Sequence, residues 1–388
     1  MIRRILILIL LTTFGYTFLA AEEEPKFKIS PTGRVLIDGA LYASPQKHLF
    51  KDGMAIPEAR VGAKMQYGKW SSWIDVGFAY GKIGLRNMWI QYDFNQHHNI
   101  RVGNFLQPFG YQSPTTANNK PTFEQPLVSA LFTPGLQLGL MYTFNNASFY
   151  SATAFHVESS ALTNVMNYPT FNQQGYSFLT RFVWRNKAAT LKDNPIINAG
   201  LSLGFSTPER NLINDADIHD AFTNSANFPT KVSNVTALSA TVDNAINRFK
   251  FTPELLVAYK RLALESQYFF QTIARKNHLR NYNAQGAYVT LRGVILGGDY
   301  TYDAASAQLI NHKKHALECV ADYNYATLSD PSTGIMGGRA NSFNMTLNYY
   351  FNAYITARLN YTYTYVWDRN GEHPLTQNAF QLRLMVLF

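Results

Sequence analysis

Three short clusters carry side chains capable of acid–base or metal chemistry: His156-Val157-Glu158-Ser159-Ser160, His312-Lys313-Lys314-His315 and His97-His98. The first holds an imidazole, a carboxylate and two hydroxyls, the parts of a hydrolytic relay. His156 and Ser160 share a strand parity, yet the segment runs from a strand end into a loop that would not hold them together. The other two clusters lack the carboxylate or thiolate spacing of a metal site. There is no Gly-x-Ser-x-Gly elbow, no His-Glu-x-x-His, no phosphate loop and no Cys pair, since Cys319 is alone. No metal or cofactor is expected. The remaining chemistry is ionic: arginines, lysines and carboxylates that recur at every second position of alternating segments.

Those segments must explain an unusual surface. Only 15% of the 388 residues are charged, against the roughly 25% usual in soluble domains, while Tyr and Phe number 24 and 27. A charged, hydrated exterior cannot be assembled from this composition, so lipid is the natural covering. Near the start, Arg3-Arg4, the apolar run Ile5–Leu11 and the small pair Ala20-Ala21 before Glu22-Glu23-Glu24 read as a cleavable secretory signal, 1-21, cut after Ala20 or Ala21. Residues 22-31 are then expected as an N-terminal periplasmic segment. After Ala21 no run reaches the length of a membrane-spanning helix, which leaves a closed β-barrel as the way to cross lipid.

Period-2 alternation supports that choice. Phe380, Leu382, Leu384, Val386 and Phe388 alternate with Gln381 and Arg383, giving an apolar face that ends on a terminal aromatic, the pattern expected of a barrel-assembly signal. Ala357, Leu359, Tyr361, Tyr363 and Tyr365 likewise oppose Arg358, Asn360, Thr362 and Thr364. Extended backward, the alternation predicts an all-β, transmembrane antiparallel barrel over 32-388. Its strands fall near 32-44, 57-67, 72-80, 84-94, 98-107, 136-144, 147-157, 175-187, 195-206, 247-259, 262-273, 283-296, 314-326, 341-351, 353-367 and 377-388. That is sixteen, an even number that puts both termini in the periplasm, with short periplasmic turns and long extracellular loops. A barrel of this size leaves an aqueous lumen. The Pro-bearing loop 108-135 is expected to fold into it.

These segments resemble the phosphate-selective porin O and P family over nearly the whole chain after the leader. Gly33-Arg34 with Asp38, Ala59-Arg60-Val61-Gly62, Leu85 to Tyr92, Arg101-Val102-Gly103-Asn104-Phe105-Leu106-Gln107-Pro108-Phe109, Thr122-Phe123-Glu124, Leu347 to Asn352 and Phe380-Gln381-Leu382-Arg383-Leu384 are similar to its strands and third loop in order and spacing. The resemblance implies a bacterial outer-membrane porin, trimeric, with the third loop in the channel and basic residues drawing anions through it. This chain departs from the family's basic pattern at Pro57 and Glu58, Asn119, Gln125, one or both of Leu136 and Gln137, and Asp322. A carboxylate in place of an arginine reverses the local field.

Strand parity places Arg34, Arg60, Lys64, Arg101, Arg181, Arg185, Arg292, Arg358 and Arg383 in the lumen, together with Asp38, Glu58, Asp75, Asp93, Glu265, Glu318 and Asp322, so the two signs nearly cancel. Lys120, in the inward loop, is the first candidate for a constriction contact. The rest of the basic surplus is assigned to connections: Lys47, Lys51, Lys231, Arg248, Lys250, Arg275, Lys276, Arg280, Lys313 and Lys314, which suit contact with lipopolysaccharide. Lipid, lipopolysaccharide, the barrel-assembly machinery and small solutes or anions are the expected partners, and nucleic acid is not. The reading is a porin for passive diffusion of small hydrophilic solutes and ions with at most mild anion preference. The alternatives are an anion- or phosphate-selective channel and a phospholipase-like barrel enzyme built on His156.

Overall fold

A segment whose two faces meet lipid and a polar interior settles as a strand, and sixteen such strands close on one another here. The computed structural model describes residues 25–79, 82–133, 135–157, 175–186, 194–213, 217–312 and 314–388. The expected leader 1-21, Glu22 to Glu24, Glu158 to Ser160 and Lys313 lie outside them. In chain order the elements begin with β1 (Lys28–Tyr42), β2 (Gly53–Tyr67), β3 (Trp70–Ala79), β4 (Lys82–Asn95), β5 (His98–Leu106) and helix α1 (Leu127–Phe132). Next come β6 (Leu136–Asn145), β7 (Phe149–Val157), β8 (Tyr176–Arg185) and β9 (Ile196–Ser206). Then follow β10 (Glu209–Ile213), β11 (Asp217–Asn227), β12 (Thr236–Asp243), β13 (Ala245–Tyr259), β14 (Leu262–Arg275) and β15 (Tyr282–Leu296). The chain ends with β16 (Thr301–Asp303), β17 (Gln308–Ile310), β18 (Ala316–Asp330), β19 (Ile335–Tyr350), β20 (Ile355–Arg369) and β21 (Leu375–Leu387).

The barrel order is β1 to β9, β13 to β15 and β18 to β21, every neighbouring pair antiparallel, and β21 returns to β1 from Arg34 opposite Leu387 to Tyr42 opposite Ala379. Each predicted strand has its counterpart. Residues 28–31 belong to β1, where Lys28 pairs with Gln66, so the expected periplasmic segment is partly barrel wall. The faces fall as the alternation requires: Phe380 and Leu382 are exposed to 56%, whereas Gln381 and Arg383, which alternate with them, are buried.

The lumen is partly filled. Segment 107–135 turns inward, and α1 buries Leu127, Val128, Leu131 and Phe132 against Phe269, Tyr288 and Leu179 of the wall, with Phe132 stacked on Phe269 at 5.6 Å. At the far end from the termini, the sheet β10–β12 adds Phe222, Leu238 and Val242 to the same cluster. The third insert corrects the expected rule of short turns at the terminal end. Connection 297–315 is long and carries the hairpin β16–β17, whose backbone accepts hydrogen bonds from inward-facing wall arginines: Arg185 Nη1 to Ala304 O at 2.6 Å and Arg181 Nη1 to Ser306 O at 3.3 Å. The hairpin meets segment 107–135 at Tyr111, whose hydroxyl accepts from the Leu309 amide at 3.1 Å. At the other end, 276–281 and 331–334 are short where long loops were expected.

Burying charge beneath these inserts requires compensation. Arg181 lies against Glu254 at 2.7 Å and Arg292 against Glu318 at 2.9 Å, with all four side chains at most 4% exposed. Glu318 also accepts from the hydroxyls of Tyr300 and Tyr350 and from Asn348 Nδ2. Breaking such a pair strands the remaining charge. Glu318→Gln should therefore lower unfolding stability by about 3–5 kcal/mol in a urea titration, and the apolar double variant Arg292→Met/Glu318→Met should recover much of it. On the outer face at mid-strand, Leu382→Arg should cost about 2–4 kcal/mol in the same assay. A change near zero would place Leu382 outside the hydrocarbon layer.

Candidate functional site

A cavity of about 800 Å³ lies between segment 107–135 and the wall formed by β1 to β4, β20 and β21. Its wall residues come from inward parity positions of neighbouring strands. Arg34 of β1 and Arg60 of β2 share the carboxylate of Glu58, with Arg60 Nη2 donating to Glu58 Oε2 at 2.8 Å, and Asp75 of β3 sits 3.7 Å from Arg60. Lys64 lies over the Trp73 ring at 4.6 Å. Gly62 is what lets β2 and β3 approach, because a Cβ there would sit 2.3 Å from Ile74 O.

The opposite side of the cavity is the inward segment itself, tied to the wall by arginines that donate to its backbone. Arg383 Nη1 donates to Phe123 O at 2.6 Å and Arg358 Nη1 to Thr122 O at 3.0 Å, while Arg34 Nη1 donates to Asn118 Oδ1 at 2.5 Å. Asn348 Nδ2 adds a bond to Pro121 O at 2.7 Å. Arg383 is held from behind by Asp38, through paired bonds of 2.7 Å, and faces Glu124 at 2.6 Å. Lys120 donates to Gln125 Oε1 at 2.7 Å. Burial pushes its ammonium down to about 8, although Glu124 pulls the other way.

A strap from the chain between β11 and β12 roofs the cavity. Phe228 packs edge-on against Phe50 at 5.1 Å, Tyr42 and Thr230 share a hydroxyl hydrogen bond of 2.5 Å, and Gln381 Nε2 donates to Pro229 O at 3.0 Å. Lys231 of this strap reaches Glu124 at 3.5 Å.

Of the expected pore residues, Lys120, Arg34, Glu58, Arg60, Asp75, Arg358 and Arg383 line this one cavity. Asp38 stands behind Arg383, fully buried. The other four face inward but lie elsewhere. Arg181, Arg292 and Asp322 are buried beneath the inserts, and Arg101 is bonded to Gln91 and stacked on Trp89 at 4.1 Å. The near-cancellation of charge expected for the lumen therefore fails for its open part, where seven basic side chains face three acidic ones. The acids that balanced the count, Glu265, Glu318 and Asp322, are in the filled part. Two lysines and an arginine assigned to connections also belong inside. Arg248 and Lys250 point inward from β13, Lys250 donating to Phe132 O at 3.1 Å, and Lys231 lines the cavity.

Glu254, Glu124 and Lys231 were not singled out from sequence as site residues. Parity with Thr252 and Lys250 would have placed Glu254 inward, but nothing local marks the other two. His156 is fully buried in the lumen-side wall with its ring 5.0 Å from Phe105, so it does not face lipid. Among the described residues no three His, Cys, Asp or Glu side chains converge as metal ligands, and no helix is long and apolar enough to cross a membrane.

Solved structures with the same architecture include the trimer form of Vibrio cholerae OmpT, an outer membrane protein, at 10% identity over 93% of this chain and 99% of that one, with a TM-score of 0.55. Pseudomonas putida OprB matches at 10% identity over 93% and 94%, TM-score 0.54. The outer membrane channel DcaP of Acinetobacter baumannii matches at 8% over 93% and 97%, TM-score 0.54. No curated protein matches the chain in sequence. The family model for phosphate-selective porin O and P covers residues 51–388. The chain belongs to the phosphate-selective porin O and P family, and with that membership its closed barrel, outward apolar belt and polar cavity are those of an outer-membrane channel for small solutes.

Proposed function

We propose that this porin admits small hydrophilic solutes and ions by diffusion along the cavity beside β1 to β4 and favours anions mildly. The carrying observation is the basic surplus of the cavity lining, seven side chains against three. A surplus of one sign concentrates the opposite ion in a narrow aqueous path. Mildness follows from pairing. Glu58 engages both Arg34 and Arg60, and Arg383 lies between Asp38 and Glu124, so few of the cations present an undivided charge. Strict selectivity for phosphate would call for several arginines and lysines facing solute together, and Glu58 stands in the middle of that set.

The chain carries no catalytic step in this reading, since its ionic groups serve as wall and field. Assembly as a homotrimer is the second part of the proposal, supported by the trimer form of the Vibrio cholerae protein with the same fold. Lipid and lipopolysaccharide surround the barrel, and Phe380, Leu382, Leu384, Val386 and Phe388 supply its recognition by the assembly machinery.

The test is the reversal potential of the reconstituted channel in a KCl gradient. An anion-favouring value of modest size is expected, and zero or a cation-favouring value would overturn the preference. Lys120 gives the preference a pH dependence with a defined sign. Its charge is present below about 8 and lost above it, so anion preference should decline as pH rises from 7 to 9. Lys120→Met should start at the lower preference and lose that pH dependence. An identical decline in the variant would remove Lys120 from the path.

A further inference from the structure

Three carboxylates line the cavity, and two of them belong to the wall. Glu58 and Asp75 project from adjacent strands with Arg60 built between them. Glu124 is placed differently. It is carried by the inward segment, where one oxygen meets Arg383 Nη2 at 2.6 Å and the other lies 3.5 Å from Lys231 Nζ on the strap. Arg383 does not depend on it for satisfaction, because Asp38 already takes two of the guanidinium bonds at 2.7 Å and Phe123 O a third at 2.6 Å. Lys231 is 48% exposed and keeps access to water. Neither cation requires Glu124 as a structural counterion, yet Glu124 lies where the wall, the inward segment and the strap converge on the open space. Its carboxyl stays ionised: burial raises its pKa, but Lys231 and Arg383 more than offset this and hold it at about 2.

We propose that Glu124 is a specificity-determining residue, a fixed counter-charge at the meeting of wall and strap that limits how strongly the cavity favours anions. It takes the cavity's basic surplus from five to four and pairs with two of its cations, Arg383 and Lys231. The proposal rests on the cavity being the solute path, as argued above, but not on the sign of the wild-type preference.

The test compares wild type with Glu124→Gln, which keeps the shape and a hydrogen-bond acceptor, by reversal potential at low and at high KCl. At low salt the anion-to-cation permeability ratio should rise about two- to fivefold, as expected for one unit charge several ångströms from the ion in water. At 1 M salt the screening length is about 3 Å and the difference should vanish. An unchanged ratio at low salt overturns the proposal. So does a shift of equal size at both salts, because that signals a displaced strap and not a lost charge. A wild type without selectivity, combined with a low-salt shift in the variant, would refute mild anion preference and leave Glu124's role standing. If Glu124→Gln fails to assemble, Glu124→Cys in a Cys319→Ser background provides the same test. A sulfonate-bearing thiol reagent should restore the wild-type ratio where a neutral reagent of similar size does not, and equal effects of the two would again overturn the proposal.

Discussion

The Arg383 to Asp38 pair sits at the seam where the last strand meets the first, and the rest of the molecule depends on that closure. Hydrocarbon offers no hydrogen bonds, so a strand edge exposed within it would leave a row of unsatisfied amides, each worth several kcal/mol. Pairing β21 with β1 removes the edge, and the paired 2.7 Å bonds across the seam fix the register from inside. Once register is fixed, parity dictates everything else. Leu382 and Leu384 must meet lipid and Gln381 and Arg383 must meet the lumen.

A polar lumen then has to be divided between structure and passage. Where inserts fill it, water is excluded and every charge needs a partner, which is why Arg181 has Glu254 and Arg292 has Glu318. Where it stays open, charges can remain in excess because water screens them. The same guanidiniums that face solute also donate to the backbone of Thr122 and Phe123, so the residues that set the field position the segment that narrows the path. The barrel thus joins a filled, charge-paired part to an open, basic one, and the proposed path runs through the second.

Period-2 alternation with one lipid face made all sixteen strands legible, and with them the fold class and the inward direction of Arg34, Arg60, Arg358 and Arg383. Boundaries moved where a strand kept pairing past its alternating stretch: β19 starts at Ile335, still paired with β18 at Asp330. The distribution of charge within the lumen was not legible. Parity says that Glu318 and Glu58 both face inward, but not that one lies under the hairpin β16–β17 and the other in open space. That hairpin is short and carries no alternation of its own, and its place at the terminal end runs against the usual length of such turns. Glu124 and Lys231 are separated by more than a hundred positions and meet only because two inserts fold over the same cavity. The family resemblance pointed to the third loop, and the seven-to-three lining that corrects the expected balance came from the fold alone.

The central claim is that solutes pass beside β1 to β4 and not through the positions that the inserts bury. Accessibility to a negatively charged thiol reagent during single-channel recording tests it most directly, in a Cys319→Ser background. Asn119→Cys, in the cavity lining, should react and reduce the current, and Thr290→Cys, fully buried beneath the inserts, should not react. Rapid modification at position 290 with loss of current, or none at 119, would contradict the account.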